Sequence, residues 1–160
     1  MQKILVVDDA EVNRELLRNI LRNDYVVEMA EDGEKALQIL RGGCPNLAAL
    51  LLDLHMPRVD GFAVITEMKD KGWINRVPVL IISSEHAVET ENKCLQMGVS
   101  DFIHKPFEAS VVRNRVKNAI ELFNYKRQLE QKVEEQAETL KKQSLIIQMQ
   151  AERLSKAKPF

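Results

Sequence analysis

The sequence has 160 residues and a formal net charge of -1, and its helix breakers are unevenly placed: all six glycines lie at or before Gly98, and no Gly or Pro occurs in the 52 residues between Pro106 and Pro159. Residues 1–106 carry 12 Lys/Arg and 17 Asp/Glu, a balance of -5, whereas residues 107–158 carry 11 and 7, a balance of +4. Hydrophobic residues at 45% with 29% charged residues exclude wholesale disorder and a membrane span.

The apolar run before the acidic pair Asp8-Asp9 is only four residues long, Ile4 to Val7, too short for a secretory leader, so the cytoplasm is the expected location. These four form the first of several short apolar runs. The others are 25–29 (YVVEM), 47–52 (LAALLL), 78–82 (PVLII) and 101–103 (DFI). Such runs suit strands buried on both faces of a parallel sheet. Between them the pattern turns helical. Residues 11–22 place Val12, Leu16 and Ile20 with Leu17 and Leu21 on one face, and 35–40 place Ala36, Leu37, Ile39 and Leu40. Residues 62–68 and 87–97 continue the alternation, with Gly33, Gly72 and Gly98 at the joints. Cys44 and Cys94 lack C-x-x-C spacing and imply neither a disulfide framework nor a zinc site.

Five strands alternating with helices by position 106 predict an open, doubly wound α/β sheet, since a closed barrel needs about 250 residues. Ligands of such sheets bind beyond the carboxyl ends of the strands. Asp8 and Asp9 follow the first strand, Asp53 the third, Ser83 and Ser84 the fourth, and Lys105 the fifth. For any one of them the plainer explanation is a solvated strand end, or for Asp8 or Asp9 a helix cap assisted by Glu11. Together they ask for more, because three carboxylates on one rim repel unless a cation joins them. A hard divalent ion, Mg²⁺ above all, answers that need and partners phosphoryl groups. Lys105 and Ser83 add a positive charge and a donor where phosphoryl oxygens develop charge.

These residues resemble a family. Asp8-Asp9 after ILVV, Asp53-Leu-His-Met-Pro57 with Asp60-Gly61, Ser83 after PVLII, and Lys105-Pro106-Phe107 are similar, in order and spacing, to the receiver domain of two-component response regulators over roughly residues 3–123. The resemblance implies a flavodoxin-like five-stranded sheet of order 2-1-3-4-5. It implies that Asp53 is the phosphoacceptor for a phosphohistidine of a sensor histidine kinase or phosphotransfer protein. Asp9 and Asp53 match direct Mg²⁺ ligands, Asp8 a ligand through water, and the main-chain carbonyl of His55 a further ligand. Ser83 matches the hydroxyl that turns toward the phosphate, Lys105 its ion-pairing amine, and Phe102 the aromatic whose rotamer follows Ser83. The Lys105-Pro106 bond is expected to be cis. Ser83 stands where Thr is commoner, and Phe102 where Tyr is, so a switch at 102 would work by packing alone. His55 and Glu85 occupy positions that tune dephosphorylation, with the His55 side chain expected to face solvent. His86 and His104 show no ligand spacing and read as surface or edge residues. The surface around Val12 to Arg18 is the expected docking face for the phosphodonor.

Other enzymatic motifs are missing, including G-x-G-x-x-G, a P-loop, H-E-x-x-H and G-x-S-x-G. A metal-dependent phosphatase commonly uses D-x-D, and the adjacent Asp8-Asp9 departs from it. The chain is therefore expected to be a phosphoacceptor module rather than an enzyme.

Beyond Phe107 nothing interrupts a helix until Pro159, and 50 helical residues span about 75 Å, far beyond what one domain can cover. Residues 1–123 are thus expected to form the receiver and 124–158 a coiled-coil extension or signalling linker. A seam runs through Ala119, Leu122, Lys126, Leu129 and Val133, then after a stutter through Ala137, Leu140, Ser144, Ile147, Ala151 and Leu154. A rival register without the stutter places Gln136, Gln143 and Gln150 in the core instead. A parallel homodimer through residues 119–154 is expected. The basic residues of this segment alternate with acids and lack a helix-turn-helix context, which argues against nucleic acid. Residues 129–140 look similar to connectors that precede HD-type phosphodiesterase or diguanylate cyclase domains. The chain is either a piece of a longer regulator or one whose output is the coil. The rival function is a constitutive coiled-coil scaffold whose receiver-like domain is not used as a phospho-switch.

Overall fold

The computed structural model describes residues 1–157. Lys158 and Pro159, where the expected helical extension closes, lie outside the described residues. Strands β1 (Lys3–Val7), β2 (Val26–Ala30), β3 (Leu47–Asp53), β4 (Val79–Ser83) and β5 (Asp101–His104) alternate with helices α1 (Glu11–Leu21), α2 (Gly33–Arg41), α3 (Gly61–Asp70), α4 (Val88–Gln96) and α5 (Ala109–Lys156). All strand pairs are parallel, in the order β2-β1-β3-β4-β5. This is the doubly wound sheet expected. Among the described residues a short 3-10 turn at Trp73–Asn75, which carries no periodicity, is the one added element.

Side chains of a strand point alternately to its two faces, so a continuous apolar run feeds two cores. Leu5, Val7, Leu50, Leu52, Val79 and Ile81 pack on one face with side chains of α2, α3 and α4. Ile4, Val6, Leu51, Leu80, Ile82 and Ile103 pack on the other with α1 and the start of α5. Asp32 and Asp60 begin α2 and α3 by accepting the backbone N–H groups of Lys35 and Ala63 at 2.7 and 2.9 Å. Gly98 ends α4 at φ 102°, a left-handed conformation that glycine adopts freely.

Two expectations need correction. Helix α1 buries Leu17, Ile20 and Leu21, but Val12 is 78% exposed and Leu16 is also exposed. Val12 lies about 140° around the helix from Leu17, too far to share its face. Helix α5 buries Val112, Val116, Ala119 and Ile120, so Ala119 belongs to the core rather than to a free seam.

By its contacts the chain divides into two units, the first ending at Phe123 and the second beginning at Asn124. In the second unit every described residue is exposed. No helix of the described residues is long and apolar enough to cross a membrane.

Candidate functional site

The sheet order reverses at β1: the chain moves from β1 outward to β2, then returns to place β3 on the other side. Val7 of β1 pairs with Leu52 of β3, so the next residues, Asp8 and Asp53, end adjacent strands at this switch point. Asp53 and Ser83 are the last residues of β3 and β4, and Lys105 follows β5. Four of the five strands thus deliver chemistry to one rim.

Asp8 is completely buried and held by several donors. Its Oδ1 accepts the Ala10 N–H at 2.9 Å, its Oδ2 accepts from Asn13 Nδ2 at 3.2 Å, and its carbonyl oxygen accepts from the Arg14 guanidinium at 2.7 Å. The helix-cap alternative fails, because Ala10 is the N-cap of α1 and no side chain caps it. Lys105 Nζ lies 3.1 Å from Asp8 Oδ2 and 3.4 Å from Asp53 Oδ2. Asp53 is buried too, and its Oδ1 accepts the His55 N–H at 3.3 Å. Burial, followed by the neighbouring Asp8 charge, pushes the Asp53 carboxyl above its ordinary pKa, with Lys105 and the His55 N–H opposing the shift.

Asp9 is exposed, and carboxylate oxygens of Asp8, Asp9 and Asp53 lie within 4.8 Å of one another. An all-oxygen set of this kind suits a hard divalent cation. One ammonium against three carboxylates leaves a formal excess of negative charge, so the cluster can accept a further cation.

The glycine of Asp60-Gly61 has a steric origin. A Cβ at Gly61 would lie 2.5 Å from the Asp53 carbonyl oxygen and 2.7 Å from Leu54 Cα, while its N–H donates to the Leu54 carbonyl at 3.0 Å. Only glycine lets the start of α3 close against the end of β3.

Ser83 is buried, and its Oγ accepts the Glu85 N–H at 3.0 Å. The Lys105 N–H donates to the Ser83 carbonyl at 2.9 Å, and the Lys105-Pro106 peptide is cis. Phe102 is half-buried against the α2–α4 core. Its carbonyl, with the Asp101 carboxylate, accepts from Arg115 of α5 at 3.1 and 3.0 Å.

Around the rim lie partners that no sequence pattern announces. His55 is exposed, as expected, yet its Nε2 is 2.8 Å from Glu85 Oε2, and Glu85 Oε1 accepts from the Thr90 hydroxyl at 2.9 Å. The His55 hydrogen bond, then that of Thr90, holds the Glu85 carboxyl below its ordinary pKa. His86 and His104 stack at 4.2 Å between centroids, and His104 Nε2 lies 3.4 Å from Glu91. Cys94 is buried in the core and Cys44 half-buried, and burial raises both thiols, so neither is poised as a nucleophile.

Comparison with known proteins agrees with this geometry. Residues 4–117 match the response regulator receiver domain family. The two-component response regulator ORR5 of Oryza sativa subsp. japonica is 34% identical over 110 residues, covering 68% of this chain and 81% of the rice protein. The NtrX structure from Brucella abortus is 31% identical with a TM-score of 0.73, covering 81% of this chain and 29% of that one. The Vibrio cholerae chemotaxis protein CheY4, 24% identical with a TM-score of 0.69 over 74% of this chain and 98% of its own, shares the fold. The sheet order, the acidic rim and the family match over most of its length lead to one assignment: the chain belongs to the response regulator receiver domain family.

Proposed function

We propose that residues 1–123 are a phosphoryl-accepting switch and residues 124–158 the segment that transmits its state. The carrying observation is Asp53, a buried carboxylate beside Asp8 and 3.4 Å from Lys105 Nζ. An Asp53 carboxylate oxygen attacks the phosphorus of a phosphohistidine. The O–P bond forms, the P–N bond breaks, and the imidazole leaves on the kinase or phosphotransfer protein. Asp8, Asp9, Asp53 and the His55 carbonyl are the groups suited to hold Mg²⁺, which when bound offsets charge on the phosphoryl oxygens.

The resulting phosphate adds negative charge where Lys105 already bridges two carboxylates, so Lys105 gains a partner that competes with Asp8. Ser83 turns its hydroxyl to the new oxygens, releasing the Glu85 N–H. Phe102 then has room to move inward by packing alone. Because Arg115 holds the Phe102 carbonyl, the start of α5 is coupled to that movement. Phosphorylation shifts this equilibrium only as far as it stabilises one arrangement over the other. The exposed Val12 and Leu16 on α1 fit a docking surface for the phosphodonor.

The output is self-association through α5. Leu122, Leu129, Val133, Leu140, Ile147 and Leu154 are exposed at coiled-coil spacing, which favours a parallel homodimer, and the alternation of acids with bases along the same segment argues against nucleic-acid contact. The test is intact mass after incubation with Mg²⁺ and a small phosphodonor. One phosphoryl adduct is expected, absent in Asp53→Asn. An unmodified wild type whose oligomeric state also ignores beryllofluoride would support a constitutive scaffold instead.

A further inference from the structure

The second unit carries more exposed apolar surface than one coiled-coil seam explains. Leu140, Ile147 and Leu154 repeat every seven residues along one stripe, whereas Leu145 and Met149 each lie about 160° around the helix from Ile147, with Ile146 beside them. Leu145, Ile146 and Met149 are 58%, 53% and 57% exposed. A two-stranded coil closed on the first stripe leaves this opposite face uncovered, and a helix apolar on two faces calls for a partner on each.

The charges flanking the second face say what covers it. Along that face the order is Glu138, Lys142, Leu145, Met149, Glu152, Lys156, spaced alternately by four and three. All six are exposed, and none of the ion pairs among the described residues engages the four charged ones. If a second copy lies antiparallel with Leu145 opposite Met149, Lys142 falls opposite Glu152 and Glu138 opposite Lys156. The two-fold axis repeats each pairing and brings Ile146 beside Ile146 of the second copy. A parallel, in-register pair on the same face would instead set Glu138 against Glu138 and Lys142 against Lys142, like charge against like at every polar layer.

We infer that residues 138–156 form an antiparallel self-association surface, built on Leu145, Ile146 and Met149 and selected for direction by the Glu138/Lys156 and Lys142/Glu152 pairs. Joined to a parallel seam on the opposite face, it links dimers tail to tail into assemblies larger than a dimer, since two contacts on opposed faces of one helix form an open series rather than a closed ring. The surface is independent of the phosphoryl site and of that seam, since alone it still produces an antiparallel dimer.

Sedimentation of the full chain tests it. With the seam formed, wild type is expected to sediment above the mass of a dimer and to grow with concentration, and Leu145→Ser with Met149→Ser stops it at the seam dimer while the circular dichroism keeps its helix signal. Lys142→Glu alone weakens the assembly about tenfold by replacing attraction with repulsion at each symmetric contact. Lys142→Glu with Glu152→Lys restores it. That rescue is diagnostic, because within a single helix the double change sets like charges four apart at both ends and weakens the helix further than either change alone. If the parallel seam does not form, wild type is a dimer that Leu145→Ser with Met149→Ser breaks to monomer; the antiparallel surface then stands and the seam falls. A monomeric wild type, a mass unchanged by Leu145→Ser with Met149→Ser, or a charge swap weaker than both single variants overturns the inference.

Discussion

The Lys105 ammonium lies 3.1 Å from a carboxylate oxygen of Asp8, a side chain with no exposure to solvent. The same nitrogen reaches Asp53, so one cation bridges two buried acids. Lys105→Met removes it and leaves the two carboxylates facing each other. Breaking a largely buried pair from one side costs about 3 kcal/mol. Urea unfolding in chelator should show a loss of that size, partly recovered in Mg²⁺; an unchanged midpoint would show that Lys105 is dispensable to the fold.

Asp53→Asn acts in the opposite direction. Burial and Asp8 raise the Asp53 pKa in the folded chain, so the folded state holds a proton that the unfolded chain has already released. Folding is therefore unpenalised below the ordinary carboxylate range, loses stability as pH rises toward the raised folded value, and carries the full penalty above it. The amide carries no such penalty. Thermal unfolding in metal-free buffer should find Asp53→Asn more stable than wild type at neutral pH, the gap closing as the pH falls through the carboxylate range. A gap that widens on acidification would refute the assignment.

Gly61→Ala probes the joint that carries Asp53. Its new Cβ meets the Asp53 carbonyl oxygen and Leu54 Cα, both backbone atoms that cannot rotate away. Overpacking of this kind costs about 1–3 kcal/mol. Denaturant titration should return a loss in that range, since β3 must shift to accommodate the methyl, and an intact-mass time course should find the phosphoryl uptake proposed for Asp53 slowed.

How much of this was legible beforehand depends on whether the signal is local. Strands β1, β3 and β4 stand out because a strand buried on both faces is an unbroken apolar run, as Leu47 to Leu52 shows. The rim residues are legible because the carboxyl ends of parallel strands share one edge, so the order of Asp8, Asp53, Ser83 and Lys105 along the chain already brings them together. Asn13 and Arg14 were not, since nothing about a polar residue on α1 says that it turns back to hold Asp8. The His86–His104 stack was hidden for a similar reason: it forms only when the ends of β4 and β5 are brought side by side. Val12 looks like part of the core stripe because it is apolar and near the helix start, but the helical rotation carries it away from Leu17.

His55→Ala should release Glu85. The His55 ring and then the Thr90 hydroxyl hold the Glu85 carboxyl below its ordinary pKa. Stability from this network is present above the ordinary carboxylate range and is lost as pH falls through the lowered folded value. A carboxyl-detected NMR titration should find Glu85 titrating higher in the variant than in wild type. No movement would place the His55 contact outside the solution ensemble.

Ala119 and Leu122 stand three residues apart on α5 but belong to different surfaces, Ala119 being 9% and Leu122 70% exposed. Ala119→Glu places a charge among Val116, Ile120 and the sheet residues of that core. Without a partner, such a buried group costs several kcal/mol, so this variant should unfold early at any protein concentration. Leu122→Ser alters a solvent-facing side chain and should leave monomer stability within about 0.5 kcal/mol, while raising the concentration at which the chain self-associates. Paired denaturation and sedimentation measurements separate the two. If both variants lowered stability alike, Leu122 would belong to the core and the free seam would begin further along the helix, at Leu129.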